Sequence, residues 1–218
     1  MANKIKSVSE VIEFIKDDMT LMIGGFMAVG TPEILIDAIL EKGVKNLTII
    51  ANDTGLPDKG IGKLIVNKRV KKVIASHIGL NPETGRQMNN KELIVDLVPQ
   101  GTLAEQIRCG GAGIGGFLTE TGVGTICEEG KQKLKVKDKE YLLELPLRAD
   151  IALIGGSIAD TQGNIFYKGS TRNFNPLMAT AADLVIAGAE RIVEAGELDP
   201  NHVMTPGIFI DYIVGGKN

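Results

Sequence analysis

Between Leu21 and Pro32 a short apolar run, Leu21-Met22-Ile23, stops at Gly24-Gly25, and a helix start signal, Thr31-Pro32, follows at once. A chain carrying this stretch is committed to a strand, a bare turn and a helix in immediate succession. Gly24, Gly25 and Gly30 lack a Cβ, so the backbone takes positive φ freely and brings its N–H groups close to a ligand. Thr31 reads as an N-cap and Pro32 as the first helical position, which aims the positive end of a helix at the turn.

The same alternation runs along the chain. Ser7-Val8-Ser9-Glu10 has capping-box spacing, and Val8, Val11, Ile12 and Ile15 recur at helical offsets, predicting a helix that ends near Asp17. Thr20 to Ile23 is the first strand, and a helix from Pro32 to Lys42 stops at Gly43. Leu47 to Ala51 reads as a strand ending at Asn52-Asp53-Thr54-Gly55, Gly62 to Asn67 as a short helix, and Lys72 to Ala75 as a strand ending at Ser76-His77. A polar loop then leads to a strand from Leu93 to Val98, ending at Pro99-Gln100-Gly101. Strands that alternate with helices and read apolar throughout predict an α/β fold, a mostly parallel sheet covered on both faces in three α/β/α layers. In such a sheet the segments after the strands gather along one edge, where ligands bind. Gly24-Gly25-Phe26, Asn52-Asp53-Thr54, Ser76-His77 and Pro99-Gln100-Gly101 are therefore expected to share a pocket; the alternative is that they are ordinary turn and cap residues.

From Thr102 to Cys109 the spacing predicts an amphipathic helix, followed by a glycine run in which Gly111, Gly113 and Gly116 match the dinucleotide fingerprint. That fingerprint requires a strand before it, whereas a helical pattern precedes here. The run reads as a mobile loop over a cleft or as a plain connector. Lys131 to Glu144 reads as alternating strands around a turn near Asp138, with lysines at every other position, which suits a solvated sheet edge better than an anion site. Further on, Ile151–Ile154, Ile165–Tyr167 and Leu184–Ala187 read as strands and Pro176–Ala182 as a helix, while Asn173 and Asn175 are expected to cap that helix rather than reach the cleft. Ile208 to Val214 is expected to pack back on the sheet, with Gly215 to Asn218 a fraying tail.

Composition narrows the function classes. At 218 residues, 44% hydrophobic and 23% charged, the chain buries a substantial core, and with no linker-like composition shift residues 1–218 are expected to form a single domain. A net charge of -3 leaves no footprint for nucleic acid. The longest apolar window, Leu21 to Val29, is too short for a membrane span, and the basic residues of Met1–Lys6 have no apolar core behind them, so neither a membrane anchor nor a signal peptide is expected. Cys109 and Cys127 lack metal-ligand spacing, so no metal is expected and reduced thiols in the cytoplasm are the reading. No Walker A pattern, Gly-x-Ser-x-Gly elbow or His-Glu-x-x-His occurs, and Glu33, Asp53, Glu105 and Glu120 sit in no recognisable nucleophile setting. His77 after a strand reads as a satisfied cap or core residue rather than a general base. The residues alone reach a ligand-binding α/β domain.

The run Asp17 to Pro32 resembles the alpha-subunit signature of family I 3-oxoacid CoA-transferases: Asp/Asn-Gly, two variable residues, three apolar residues, Gly-Gly-Phe, three variable residues and Gly-x-Pro. Asp18 stands where that signature has glycine. The resemblance continues through Asn52-Asp53-Thr54-Gly55, Asn81-Pro82-Glu83-Thr84-Gly85, Pro99-Gln100-Gly101-Thr102, Gly110-Gly111-Ala112-Gly113, Asn173-Phe174-Asn175-Pro176 and Thr205-Pro206-Gly207. It implies a ping-pong exchange of CoA between an acyl-CoA and a short-chain carboxylate or 3-oxoacid such as acetate, butyrate or acetoacetate, through a glutamyl-CoA thioester. In the family that glutamate belongs to the beta subunit, in a Ser-Glu-Asn-Gly context, and no such tetrapeptide occurs here. The resemblance thus implies a chain that binds and polarises, completed by a CoA-transferase beta subunit in an A2B2 heterotetramer, with coenzyme A as substrate and no permanently bound cofactor. It further implies that Gly24, Gly25, Phe26, Met27, Ala28, Val29 and Gly30 form the CoA-binding segment, and that their backbone N–H groups, with the side-chain amides of Gln100 and Asn52, stabilise charge on the thioester oxygen. The rival readings are a nicotinamide-dependent oxidoreductase, which a helix before Gly111 dismisses, and a non-catalytic phosphosugar- or CoA-sensing α/β domain.

Overall fold

A computed structural model describes residues 4–216; the tail residues 217 and 218, and the first three residues of the Met1–Lys6 stretch, lie outside it. The helices are α1 (Val8–Val11), α2 (Glu33–Lys42), α3 (Gly62–Val66), α4 (Pro82–Asn89), α5 (Gln100–Ala112) and α6 (Asn175–Met178). The strands are β1 (Thr20–Ile23), β2 (Leu47–Ile50), β3 (Val70–Ala75), β4 (Ile94–Leu97), β5 (Phe117–Thr119), β6 (Lys133–Val136), β7 (Lys139–Glu144), β8 (Ala149–Asp160), β9 (Ile165–Phe166), β10 (Ala182–Val193) and β11 (Tyr212–Gly215).

The main sheet runs β11-β10-β8-β1-β2-β3-β4, every pair along it parallel, with β9 added antiparallel to β8. Period-two alternation sends Leu21 and Ile23 into an apolar cluster with α1, α2 and α3, while Met22 joins α5 and α6 in a second cluster on the other face. These are the three α/β/α layers expected from the sequence. From β1 the chain builds outward to β4, then returns to place β8 on the other side of β1. That reversal is a topological switch point, where open α/β sheets leave a crevice at the carboxyl ends of the strands.

The Ser7–Glu10 capping box is present, but the first helix is shorter than expected, closing as a 3-10 turn at Phe14. The segment expected to be a polar loop after His77 contains α4, capped by Asn81, whose side chain accepts from the Glu83 N–H. Its few apolar residues hid it, because tertiary packing and not periodicity holds it: the buried Gln87 donates to the Ile65 carbonyl of α3. The strand at 93–98 is not covered on both faces. It forms the sheet edge, with Ile94 and Leu97 exposed. The helix expected at 176–182 stops at Met178, and the final strands run longer than their apolar cores predict, β8 and β10 spanning 12 residues each. Of the segment expected to pack back on the sheet, β11 pairs with β10 and includes Gly215, while Ile208 is exposed.

A second, three-stranded antiparallel sheet runs β5-β7-β6. The lysine-rich β6 is its exposed edge, as expected. Lys131 is the exception, pairing with the buried Glu144, which also accepts from Gln106 of α5 and so ties the small sheet to the main body. Asp18 adopts φ +66°, the left-handed region that glycine occupies without penalty, which is a physical reason for glycine in the signature. Among the described residues no helix is long and apolar enough to cross a membrane.

The exposed Arg86 clasps Glu83 at one end of α4 and Glu92 beyond the other. Hydrogen bonds from its guanidinium hold each carboxyl down at about 2, with Gln87 aiding Glu83, and Lys68 and Asn90 aiding Glu92. A depressed carboxylate pKa gives stability that is complete above the unfolded value near 4.5 and lost as pH falls through the folded value. Denaturant unfolding followed between about pH 5 and about pH 2 should therefore show a loss of stability on acidification that is shallower in Arg86→Gln.

Candidate active site

The chain after β1 makes a tight turn in which the Phe26 and Val29 backbones exchange hydrogen bonds of 3.0 and 2.9 Å. Both central residues are left-handed, Met27 at φ +50° and Ala28 at +67°. Hairpin turns of this kind ordinarily carry Asn-Gly there, and each non-glycine residue in the left-handed region costs about 1–2 kcal/mol. The strain persists because the surroundings fix the turn. Met27 N–H donates to Asp53 Oδ2 at 2.9 Å, and Asn173 spans the turn, accepting from Gly25 N–H at 3.1 Å and donating to the Val29 carbonyl at 3.0 Å.

Thr31 does not cap α2, as its position in the sequence suggests. Its hydroxyl donates back to the Gly24 carbonyl at 3.0 Å, and Pro32 occupies the cap position with no side-chain bond, the helix beginning at Glu33. Asn173 and Asn175 do not cap α6 either, whose cap residue is Phe174. Asn175 is fully buried; its Oδ1 accepts from Gly155 N–H at 3.0 Å, and its Nδ2 donates to the carbonyls of Gly30, 3.0 Å, and Thr171, 2.8 Å. The requirement for glycine at position 24 follows, because a Cβ there would lie 1.7 Å from Asn175 Oδ1. The sequence signal is the Asn-x-Asn spacing, legible as amides without a target.

The ends of β1, β2, β3 and β4 open onto one cavity of about 280 Å³, lined by Phe26, Met27, Asn52, Asp53, Ser76, His77, Leu80 and Gln100; of the groups expected to share it, Gly24, Gly25, Thr54, Pro99 and Gly101 are not in its lining. Gln100 is not in a loop but opens α5, with an exposed side chain. Its Nε2 donates to Asn52 Oδ1 at 2.5 Å, and its Oε1 accepts from the Ser76 hydroxyl. Asn52 lies beneath it, 1% exposed, and donates from Nδ2 to Asp53 Oδ2 at 2.8 Å. Asp53 Oδ1 accepts from Gly55 N–H at 2.7 Å. Phe26, Met27 and Val29 are between 42% and 47% exposed, so the turn presents apolar side chains at the rim. Leu80, which closes one wall, carries no sequence signal.

The glycine run resolves as a connector and helix end. Helix α5 extends through Gly110 and Gly111 to Ala112, so a helix and not a strand precedes the fingerprint match, and the dinucleotide reading falls. Gly111 is where α5 passes close to the segment between α6 and β10, since a Cβ there would sit 2.2 Å from Thr180 Oγ1. Cys109 is buried in the same helix; burial, with the Glu105 carboxylate beside it, pushes its thiol above the ordinary value, which disfavours a thiolate nucleophile. Among the described residues, no group of three or more His, Cys, Asp or Glu is placed to hold a metal ion.

The chain belongs to the coenzyme A transferase family, whose model matches residues 5–216. It is 59% identical over 214 residues to the alpha subunit of acetate CoA-transferase from Escherichia coli K12, covering 98% of this chain and 97% of that one. It is 57% identical to the acetoacetyl-CoA:acetate/butyrate CoA transferase alpha subunit of Clostridium acetobutylicum, covering 98% of each chain. Among solved structures it resembles an acyl-CoA transferase of E. coli O157:H7 in a thioester complex with CoA, at a TM-score of 0.85 and 23% identity. The alignment covers 98% of this chain and spans about half, 47%, of that longer one. Glutaconate coenzyme A-transferase of Acidaminococcus fermentans aligns with a TM-score of 0.84 at 18% identity, over 97% of this chain and 75% of that one. At these identities the structural likeness shows the fold.

Replacing Gly24 by alanine should cost about 3 kcal/mol or more, because the methyl overlaps a buried amide whose hydrogen bonds cannot be kept. Denaturant unfolding of Gly24→Ala against the parent measures it, and a loss under about 1 kcal/mol would show that Asn175 yields freely.

Proposed function

We propose that this chain is the alpha subunit of a cytoplasmic CoA-transferase that moves CoA between a short-chain acyl-CoA and a short-chain carboxylate or 3-oxoacid, with acetate, butyrate and acetoacetate as the acids. The observation that carries the reading is the cavity at the strand ends, where the exposed Gln100 amide stands beside the strained Phe26–Val29 turn while no carboxylate is set up as a nucleophile. The relatives named for acetate and for acetoacetyl-CoA with acetate or butyrate support the acids proposed. Their designation as alpha subunits supports a beta partner, taken here as an A2B2 heterotetramer in which residues 1–218 of this chain form one domain.

In the proposed cycle a glutamate supplied by the beta subunit makes a nucleophilic attack on the thioester carbonyl carbon of acyl-CoA. The carbonyl oxygen takes up negative charge, then the C–S bond breaks, giving an acyl-glutamyl anhydride and CoA thiolate. The thiolate attacks the glutamyl carbonyl, the first acid leaves as its carboxylate, and a glutamyl-CoA thioester remains for the second acid to reverse. The segment Gly24–Gly30 holds the acyl and thiol end of CoA through the exposed side chains of Phe26, Met27 and Val29 rather than through the N–H groups expected from the sequence, since those of Gly24, Gly25, Phe26, Met27 and Val29 already donate within the chain. One Nε2 hydrogen of Gln100 is held by Asn52; the other, which makes no hydrogen bond among the described residues, donates to the thioester oxygen as its charge develops. Asn52, being buried, acts as the support of Gln100 rather than on the substrate directly.

Losing one oxyanion donor typically costs roughly 10²- to 10³-fold in rate. Gln100→Ala should therefore lower kcat of the assembled two-subunit enzyme by that factor, and unchanged kinetics would remove Gln100 from the site. The purified chain alone should fold and transfer no CoA until the beta subunit is added, whereas turnover by the chain alone would overturn the half-site reading.

A further inference from the structure

We infer that Asp53 is a positioning residue that sets the direction of the whole amide relay and so decides that Gln100 offers hydrogens, not an oxygen, to the substrate. The inference rests on the function proposed above. A side-chain amide is nearly symmetric in shape, and turning it over exchanges donor for acceptor. Neither Asn52 nor Gln100 fixes its own orientation, because each could bond to the other in either sense. A carboxylate has no such ambiguity, since it only accepts.

Asp53 is 5% exposed and meets backbone N–H groups, which only donate: Met27 N–H on Oδ2 and Gly55 N–H on Oδ1. The remaining contact is Asn52, which must turn its NH2 toward Asp53 Oδ2 and therefore its Oδ1 toward Gln100. Gln100 must answer with its own NH2, leaving Oε1 for the single hydrogen of the Ser76 hydroxyl; the Asn52 carbonyl, 2.7 Å from that hydroxyl oxygen, is satisfied by the Ser76 N–H at 3.0 Å. The sense of every bond from the buried carboxylate to the cavity is thus fixed at Asp53. The same carboxylate grips Met27 in the strained turn, so one side chain sets both the turn and the polarity of the amide beside it.

Asp53→Asn keeps the shape but has a single acceptor oxygen; with that oxygen on Gly55 N–H, its NH2 faces Asn52, and the Met27 bond is lost. Asn52 and Gln100 can then both turn over, presenting an oxygen where the oxyanion forms. In the assembled two-subunit enzyme, kcat of Asp53→Asn should fall roughly 10²- to 10³-fold, matching Gln100→Ala, with any rise in KM for acyl-CoA coming from the Met27 bond that the turn loses. Added to Gln100→Ala, the substitution should cost little further, because its effect passes through the Gln100 amide. A raised KM at full kcat would show that Asp53 serves only the turn, and losses that multiply in the double variant would show that it acts independently of Gln100; either result overturns the inference. If Asp53→Asn does not assemble, Asn52→Ala leaves the Asp53 bonds to Met27 and Gly55 in place and cuts only the relay. It should reproduce the kcat loss and the non-additivity, and wild-type turnover in it overturns the inference. Unchanged kinetics in Gln100→Ala itself would fail the functional reading instead, which keeps the two failures apart.

Discussion

The side-chain amide of Asn175 fills the space that a Cβ on Gly24 would occupy, and the rest of the site depends on that substitution of one group for another. From this position it accepts from Gly155 on β8 and donates to Gly30 and Thr171, joining the turn after β1, the central strand beside it and the segment leading into α6. These elements meet where the chain reverses its direction of sheet building, so the amide sits at the switch point itself. A fully buried amide with its donors and acceptor satisfied is costly to disturb, because each orphaned group forfeits its desolvation. The turn is rigid for that reason, and it can hold Met27 and Ala28 in left-handed conformations that an isolated peptide would abandon.

The chemistry proposed for the cavity uses neutral donors. Asp53 and His77 are the only titratable side chains among the cavity's lining residues, and the Asp53 carboxylate is occupied by Met27, Gly55 and Asn52. An amide aimed at a developing oxyanion carries a smaller desolvation cost than a cation would, and it needs no reorganisation when charge appears. Neutral amides also leave a partner's carboxylate nucleophile unpaired, where a lysine or arginine in their place would hold it as an ion pair.

The parallel sheet, the strand-end pocket and the glycine turn are legible in the sequence because continuous apolar runs and abrupt polar stops reflect burial on both faces and the edge where it ends. Leu47–Ile50 stopping at Asn52 is such a case, and so is Lys72–Ala75 stopping at Ser76. Helix α4 is not legible, since a segment of Pro, Glu, Thr, Gly, Arg and Gln has no apolar stripe and is held by Gln87 and the Arg86 clasp. Thr31, Asn173 and Asn175 read as caps because local spacing favours caps, whereas their partners lie in remote segments or back across the turn. Position 53 reads as an acid without a setting. Its setting is made of backbone N–H groups, which no sequence pattern displays.

Gly25 and its partner Asn173 are 148 residues apart along the chain, and Gly30 and Asn175 are 145 apart. During synthesis the glycine turn emerges long before the residues that shape it have been made. A nascent chain that has reached β8 holds every strand from β1 to β4 and still has no finished turn. Long-range pairings of this kind close late, since the entropy of the intervening loop must be overcome first. The turn is therefore shaped only once the chain through Asn175 is in place, and a copy truncated before it lacks the amides that set the turn.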